Sequence, residues 1–180
     1  MSAAAGTAAA ASPALPTAVI VMGVSGSGKS TIGIGLAKAL GWDFRDGDAF
    51  HPAANVAKMK SGAPLTDNDR WPWLDAIAGH VASLERQGGH VVIACSALKR
   101  AYRDRLRASG ARLRFVHLAG SFALIDGRMK ARRDHFMPPS LLESQFATLE
   151  EPTDEENVVR VSIETGPEAI VAEALTRLGA

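Results

Sequence analysis

Apolar residues along the chain fall into short runs bounded by turn residues and longer segments with helical spacing. The short runs predict five strands, at 17–22, 43–47, 90–95, 113–118 and 158–163. The longer segments predict helices at 29–40, 52–88 (in two pieces broken near 61–64), 98–109, 121–133, 139–150 and 168–178. Because strands and helices alternate, we expect an α/β fold with a parallel sheet covered by helices on both faces.

Composition changes this picture little. The 180 residues, 47% hydrophobic and 22% charged, indicate one domain at 17–180 behind a disordered tail at 1–16. A net charge of +1 gives no reason to expect nucleic acid or a membrane as partner, and the cytoplasm is the expected compartment. The single cysteine, Cys95, cannot form an internal disulfide, and the five histidines lack the close pairing of metal sites.

The segment GVSGSGKST, at 23–31, carries the clearest chemical signal. It matches G-x-x-x-x-G-K-[ST] in full, between a predicted strand and a predicted helix. In such a loop the backbone N–H groups approach phosphate oxygens, Lys29 reaches the β- and γ-phosphates, and the Ser30 hydroxyl binds Mg²⁺. The candidate phosphate-binding residues are Gly23, Ser25, Gly26, Ser27, Gly28, Lys29, Ser30 and Thr31.

Molecular switches, motors and kinases all use this type of loop. The sequence has no N/T-K-x-D motif for reading guanine, and the third predicted strand ends in Ala94, Cys95 and Ser96 rather than in the aspartate typical of a motor. A small-molecule kinase that uses ATP is therefore favoured. A regulatory module that binds ATP without transferring phosphate stays open.

The segment DGDAFHP, at 46–52, follows the second predicted strand. Open parallel sheets bind ligands beyond the carboxyl ends of their strands, so Asp48 could face an acceptor. It could orient a hydroxyl, take its proton late and help hold Mg²⁺ through water. Asp-Gly-Asp is also ordinary turn sequence, and the residues alone leave both interpretations open.

A basic segment follows the third predicted strand. Ser96 could cap the helix there, and Lys99 and Arg103, four residues apart, could together bind a carboxylate. A solvated basic face, with Asp104 pairing with one of these cations, is equally compatible with the pattern.

Arg128 and Arg132 are also four residues apart, and two prolines follow them at 138 and 139. Arginines at such a hinge could stabilise the charge on a transferring phosphoryl group when a lid closes, although a charged surface helix would look the same. The acidic connector at 150–157 is expected to be a solvated loop.

A further helix start is expected at Thr66 or Asp67, with Trp71 and Trp73 as packing anchors. Arg70 either pairs with a neighbouring aspartate or contacts a substrate.

Together, the segments GVSGSGKST, DGDAFHP, PLTDNDR, CSALKRAYRDRLR and HFMPPSLLESQFATLE resemble the bacterial-type gluconokinase family. The resemblance implies a nucleoside-monophosphate-kinase type of P-loop fold, with a five-stranded parallel sheet, an acceptor-binding helical region at about 49–88 and a mobile lid at about 128–140. It also implies phosphoryl transfer from ATP to D-gluconate with Mg²⁺, and a homodimer.

The same resemblance implies roles for individual residues. Residues 26–31 would hold the phosphates, Asp48 would face the acceptor hydroxyl, Arg128 and Arg132 would flank the lid, and Pro167 would lie beside the adenine. A carboxylated polyol needs cationic and polar donors. The residues expected to supply them are Asp48, His51, Lys58, Arg70, Ser96 and Arg103.

One position departs from the family pattern: Asp134 stands where a glycine is expected before His135. This departure affects the expected hinge of the lid rather than the reaction. A kinase for another small hydroxylated acid, such as shikimate, is the alternative enzyme.

Overall fold

The computed structural model describes residues 14–132, 139–155 and 157–180. Within them the strands are β1 (Ala18–Met22), β2 (Asp43–Asp46), β3 (Val91–Ala94), β4 (Leu113–Ala119) and β5 (Val158–Ser162). The helices are α1 (Lys29–Leu40), α2 (Ala53–Lys60), α3 (Asp67–Gln87), α4 (Arg100–Arg107), α5 (Phe122–Ala131), α6 (Pro139–Thr148) and α7 (Pro167–Leu178), with a short 3-10 turn at Gly47–Phe50. Each predicted element is present, with bounds that differ by about two residues or less.

The five strands form one parallel sheet in the order β2-β3-β1-β4-β5. β1 lies in the middle, where Ile20 pairs with Ile93 of β3 on one side and with Phe115 of β4 on the other. All five residues of β1 are fully buried. The predicted α/β fold with a five-stranded parallel sheet is confirmed.

Side chains of β1 alternate between two hydrophobic cores, because successive residues of a strand point to opposite faces of its sheet. Val19 and Val21 pack in the core that includes residues of α1 and α7. Ile20 and Met22 pack in the other core, with residues of α3 and α4. The sheet is therefore covered by helices on both faces, and its loops are left to form a site at the carboxyl edge.

The start of α3 agrees with its predicted cap. The Thr66 hydroxyl accepts a hydrogen bond from the Asp69 backbone N–H (3.2 Å), and the Asp69 carboxylate accepts one from the Thr66 N–H (2.8 Å). This reciprocal pair satisfies two N–H groups that the first turn of a helix leaves free. Trp73 is buried, as expected of a packing anchor.

The predicted cap at Ser96 is wrong. α4 begins only at Arg100, and the residue that precedes it, Lys99, makes no side-chain cap hydrogen bond. Residues 96–98 instead form an irregular loop in which Ala97 has φ 44°, in the left-handed region. This conformation costs a residue with a side chain roughly 1–2 kcal/mol, so other contacts must hold the loop.

Arg103 holds that loop from inside the protein. Its side chain is fully buried, and Nη1 donates to the carbonyl oxygens of Ala97 (2.8 Å) and Leu98 (3.0 Å). Nη2 donates to the Glu150 carbonyl oxygen (2.9 Å) and to Glu155 Oε1 (2.7 Å), and Nε also donates to Glu155. Every N–H of the guanidinium is thus used within the protein.

This geometry corrects two expectations. Arg103 does not face an acceptor, because its guanidinium is buried and all of its donors are used. A buried guanidinium needs a buried counter-charge, which Glu155 supplies. The acidic connector is likewise not simply solvated: the Glu155 side chain is 5% exposed and also pairs with Arg107. Burial raises the pKa of Glu155, but hydrogen bonds from the two arginines outweigh it and leave the pKa below its usual value.

No helix among the residues described here is both long and apolar enough to cross a bilayer.

We expect Glu155→Ala to lower the free energy of unfolding by about 3–5 kcal/mol, because it leaves the Arg103 charge buried without its partner. Urea denaturation followed by circular dichroism measures the change. Asp154, the exposed residue next to Glu155, provides the control. The free energy of unfolding of Asp154→Ala should stay within about 0.5 kcal/mol of the parent value. Equal stability of the two variants would contradict a structural role for the Arg103–Glu155 pair.

We expect the Cys95 thiol to be unreactive in the folded protein. It follows β3, is 2% exposed, and burial raises its pKa to about 12, so little thiolate exists near neutral pH. Because the chain has one cysteine, labelling with a disulfide reagent at pH 8 reports on this group alone. Labelling should be complete in denaturant and slow without it; rapid stoichiometric labelling of the native protein would refute the burial.

Candidate active site

The phosphate-binding loop connects β1 to α1. Gly26 and Gly28 have φ of 78° and 97°, values that suit glycine, and α1 begins directly afterwards at Lys29. A Cβ on Gly26 would lie 2.7 Å from the Met129 side chain of α5, so the loop is packed against that helix. The N-terminus of α1 therefore presents its free backbone N–H groups to the loop, which is the arrangement that binds phosphate.

Two side chains of this loop fit a bound polyphosphate. The Ser27 hydroxyl is buried and has no hydrogen-bond partner within the described residues. Lys29 Nζ donates to the Val24 carbonyl oxygen (3.0 Å). Burial lowers the pKa of the Lys29 ammonium, and the nearby carboxylates of Asp46 and Asp48 oppose that shift. An anion in the loop would compensate the cost of burying this charge.

A cavity of about 270 Å³ continues from the loop. It brings together four of the eight predicted phosphate-binding residues, both predicted arginines and the loop after β5. Its lining residues are Gly26, Ser27, Gly28, Thr31, Ile32, Arg128, Arg132, Thr165, Gly166, Pro167 and Ile170. A lining that combines glycines and two arginines with the apolar side chains of Ile32, Pro167 and Ile170 suits a ligand with phosphates and a flat base.

The segment expected to form a lid is only partly described. α5 ends at Ala131, and Arg128 Nη2 donates to the Ile163 carbonyl oxygen, which holds the side chain against the sheet. Arg132 is exposed at the end of this helix. Asp134 and His135, with the rest of the expected hinge, lie outside the described residues.

Asp48 lies in the 3-10 turn that follows β2. Asp46 shapes this turn by accepting a hydrogen bond from the Asp48 backbone N–H (2.9 Å). A Cβ on Gly47 would lie 2.4 Å from the Ala94 carbonyl oxygen, so the turn sits directly against the end of β3. The Asp48 carboxylate is 85% exposed, and one oxygen lies 3.9 Å from His51 Nε2. The segment is therefore a turn with an exposed carboxylate, and the role of Asp48 at an acceptor stays a prediction.

His51 is held by residues that the sequence patterns did not indicate as functional. Its ring stacks on Trp73, with 4.3 Å between ring centroids, and Trp73 Nε1 donates to the Gly47 carbonyl oxygen (2.8 Å). Asn55 Nδ2 lies 3.2 Å from His51 Nδ1. Asn55 is four residues after His51, which is the one sequence signal that could have suggested the contact.

Two of the expected acceptor-binding cations, Lys58 and Arg70, are each paired with an aspartate. Lys58 binds Asp69 at 2.6 Å, and the hydrogen bonds from Lys58 and Thr66 lower the pKa of Asp69 to about 2. Arg70 Nη1 lies 3.2 Å from the Tyr102 hydroxyl and 3.8 Å from Asp67. Both cationic side chains remain about one third exposed, at 36% and 30%.

Lys99 and Arg103 have different partners, so they do not form the carboxylate-binding pair that the sequence left open. Lys99 Nζ binds Asp67 at 3.1 Å, and Tyr102 donates a hydrogen bond to the same carboxylate. Arg103 is turned into the interior. Ser96 lies beside the phosphate-binding loop, where its carbonyl oxygen accepts a hydrogen bond from the Gly23 N–H (3.3 Å).

Gln145 is a further residue that the patterns missed. From α6, its Oε1 accepts a hydrogen bond from the Ser25 backbone N–H (2.6 Å), and its Nε2 donates to the Ser25 hydroxyl (2.8 Å). A neutral amide 120 residues away in the chain has no local signal that could have suggested this contact.

Comparisons with known proteins agree with this geometry. A family model described as AAA domain matches residues 19–152. A gluconokinase of Gluconobacter oxydans is 49% identical over 160 residues, covering 89% of this chain and 90% of the relative. The thermoresistant gluconokinase of Escherichia coli is 45% identical, covering 87% and 90%.

A solved structure gives the same result in three dimensions. The crystal structure of a gluconokinase from Sinorhizobium meliloti is 51% identical, covers 91% of this chain and 92% of its own, and superposes with a TM-score of 0.83. Since relatives of nearly the same length are almost half identical from end to end, the chain belongs to the gluconokinase family.

Proposed function

We propose that the protein transfers the γ-phosphate of ATP to a hydroxyl of D-gluconate, producing ADP and 6-phosphogluconate. The observation that supports this most directly is the position of Asp48. It is an exposed carboxylate on the loop beside the phosphate-binding loop, close enough that its charge acts on the Lys29 ammonium. An acceptor hydroxyl held at Asp48 would therefore lie near the terminal phosphate of a nucleotide in that loop.

The phosphate-binding residues act by position and charge. The N–H groups at the start of α1 and the Lys29 ammonium would hold the β- and γ-phosphate oxygens, with Ser27 supplying a buried hydroxyl. Arg128 and Arg132 line the same cavity and would face the phosphoryl group as its negative charge redistributes. Pro167, which also lines that cavity, would contact the adenine.

The acceptor residues act on the hydroxyl. The bond between the hydroxyl oxygen and the γ-phosphorus forms while the bond from the γ-phosphorus to the oxygen bridging to the β-phosphate breaks, and the hydroxyl proton passes late to Asp48. The gluconate carboxylate would be bound by Lys58 and Arg70, whose side chains remain partly exposed. Each of these two cations is already paired with an aspartate. When gluconate binds, its carboxylate would replace that of the aspartate, so no unpaired charge would be buried.

The oxygen donors fit a magnesium ion. The exposed Ser30 hydroxyl and, through water, the Asp48 carboxylate are hard oxygen ligands of the kind Mg²⁺ takes alongside substrate phosphates. Mg²⁺, when bound, neutralises charge on the β- and γ-phosphates.

The organisation of the chain completes the proposal. Residues 17–180 would form a single kinase domain, with an acceptor-binding region at about 49–88 and a lid at about 128–140. The family resemblance supports a cytoplasmic homodimer as the working form.

A coupled assay for ADP release with a panel of acceptors tests the function. With ATP and Mg²⁺ we expect turnover on D-gluconate well above that on shikimate or without acceptor. Higher activity on shikimate would support the alternative acid kinase, and ATP binding without ADP release on any acceptor would support the regulatory module. Either result would overturn the proposal.

Asp48→Asn should lower kcat on gluconate by a factor on the order of 10²–10⁴, because the variant cannot take the hydroxyl proton. The KM for ATP should change little. Asp43→Asn provides the matched control, since Asp43 is exposed at the opposite end of β2 and should keep full activity. Near-normal turnover of Asp48→Asn would show that its role is misassigned.

A further inference from the structure

The protonation of His51 can be deduced from its neighbour Asn55. Asn55 is 5% exposed, and its Nδ2 lies 2.8 Å from the Asp69 carbonyl oxygen and 3.2 Å from His51 Nδ1. A carbonyl oxygen carries no hydrogen, so the atom facing Asp69 must be the amide nitrogen, not the amide oxygen. The second N–H of that nitrogen then points at His51 Nδ1, which must supply a lone pair.

The ring has no alternative orientation of equal quality. Stacking on Trp73, with 16° between the ring planes, fixes the plane of the imidazole. A half-turn about the Cβ–Cγ bond keeps this plane but would place a ring carbon against the Asn55 amide. The buried Asn55 N–H would then have no acceptor. His51 is therefore neutral, with its single ring proton on Nε2.

The ring nitrogen that carries the proton faces Asp48. Nε2 lies 3.9 Å from Asp48 Oδ1, too far for a direct hydrogen bond. A hydroxyl oxygen placed about 2.8 Å from both atoms would fill the gap. It would accept a hydrogen bond from Nε2 and donate its own proton to the Asp48 carboxylate.

We propose that Asn55 is a positioning residue that holds His51 as an Nε2–H donor, so that His51 and Asp48 form a donor–acceptor clamp on the acceptor hydroxyl. This rests on the proposed kinase function and deepens it. With the opposite tautomer, Nε2 and Asp48 would both be acceptors competing for one hydroxyl proton. The donor–acceptor pair instead fixes the hydroxyl rotor and leaves a lone pair of its oxygen free for phosphorus.

The charges around His51 agree with a neutral ring near pH 7. Burial lowers its pKa below the usual value, the Asp48 carboxylate opposes this shift, and the Arg70 guanidinium of α3 adds to it. The Lys58–Asp69 pair lies behind Asn55.

A measurement without any substrate tests the tautomer. Long-range ¹H–¹⁵N correlation spectra of the full chain with ¹⁵N-labelled histidine distinguish a protonated Nε2 from a protonated Nδ1, and the His51→Gln variant identifies the His51 signals. We expect protonated Nε2 and unprotonated Nδ1 at pH 7.5. The Nδ1–H form would overturn the proposal even if the protein phosphorylates gluconate, whereas inactivity on gluconate would overturn the proposed function and leave the tautomer result standing.

The Asn55→Asp variant tests the consequence for catalysis. A carboxylate can donate neither to Nδ1 nor to the Asp69 carbonyl oxygen, so the variant loses both hydrogen bonds of Asn55. The neutral ring then moves its proton to Nδ1 and loses the Nε2 donor. We expect kcat/KM for gluconate to fall about tenfold at pH 8, the value of one hydrogen bond, with the KM for ATP unchanged. As the pH falls, the new carboxylate favours the imidazolium, which restores the Nε2–H.

The pH dependence separates this role from a merely structural one. The deficit of Asn55→Asp relative to the parent should shrink between pH 8.5 and pH 5.5, and this shrinkage should vanish in a His51→Gln background. Asn68→Asp, an equal charge change at an exposed position of α3, should show no such deficit. A deficit that is constant across pH would contradict the proposal.

Discussion

The parallel pairing of β1 with both of its neighbours determines where every reacting group can lie. β1 is fully buried, and its register with β3 and β4 fixes where its carboxyl end stands in the sheet. The loop that follows it is joined to the loop after β3 by the hydrogen bond from Gly23 to Ser96. The turn after β2 is pressed against the end of β3 at Gly47. These two contacts join three loops at the carboxyl edge of the sheet, where the proposed phosphate-binding and acceptor-binding groups lie.

Arginines in this protein divide into two kinds according to burial. Arg103 is fully buried and uses all of its donors to hold the strained loop at Ala97 and the connector carrying Glu155. Arg128 and Arg132 instead line the cavity beside the phosphate-binding loop, and Arg70 keeps almost a third of its side chain exposed. A buried, fully paired arginine stabilises the fold. A partly exposed arginine can exchange its partner for a ligand.

Local patterns in the sequence were enough to predict the strands, the helices, the phosphate-binding loop and the position of Asp48, because each depends on neighbouring residues. The role of Arg103 could not be predicted, since its partner Glu155 lies 52 residues away in a connector that looks merely acidic. Asn55 and Gln145 are neutral amides whose importance comes from the single atoms they contact. Helical spacing could have paired Asn55 with His51, but no local pattern could have paired Gln145 with Ser25.

The proposed phosphoryl transfer requires one acceptor oxygen to lie between the Asp48–His51 pair and the terminal phosphate of ATP. A crystal structure with a non-hydrolysable ATP analogue, Mg²⁺ and D-gluconate measures this directly. The account predicts a gluconate hydroxyl in contact with both side chains and within about 3.5 Å of the γ-phosphorus. Gluconate bound elsewhere, or with its hydroxyls turned away from the phosphate, would contradict it.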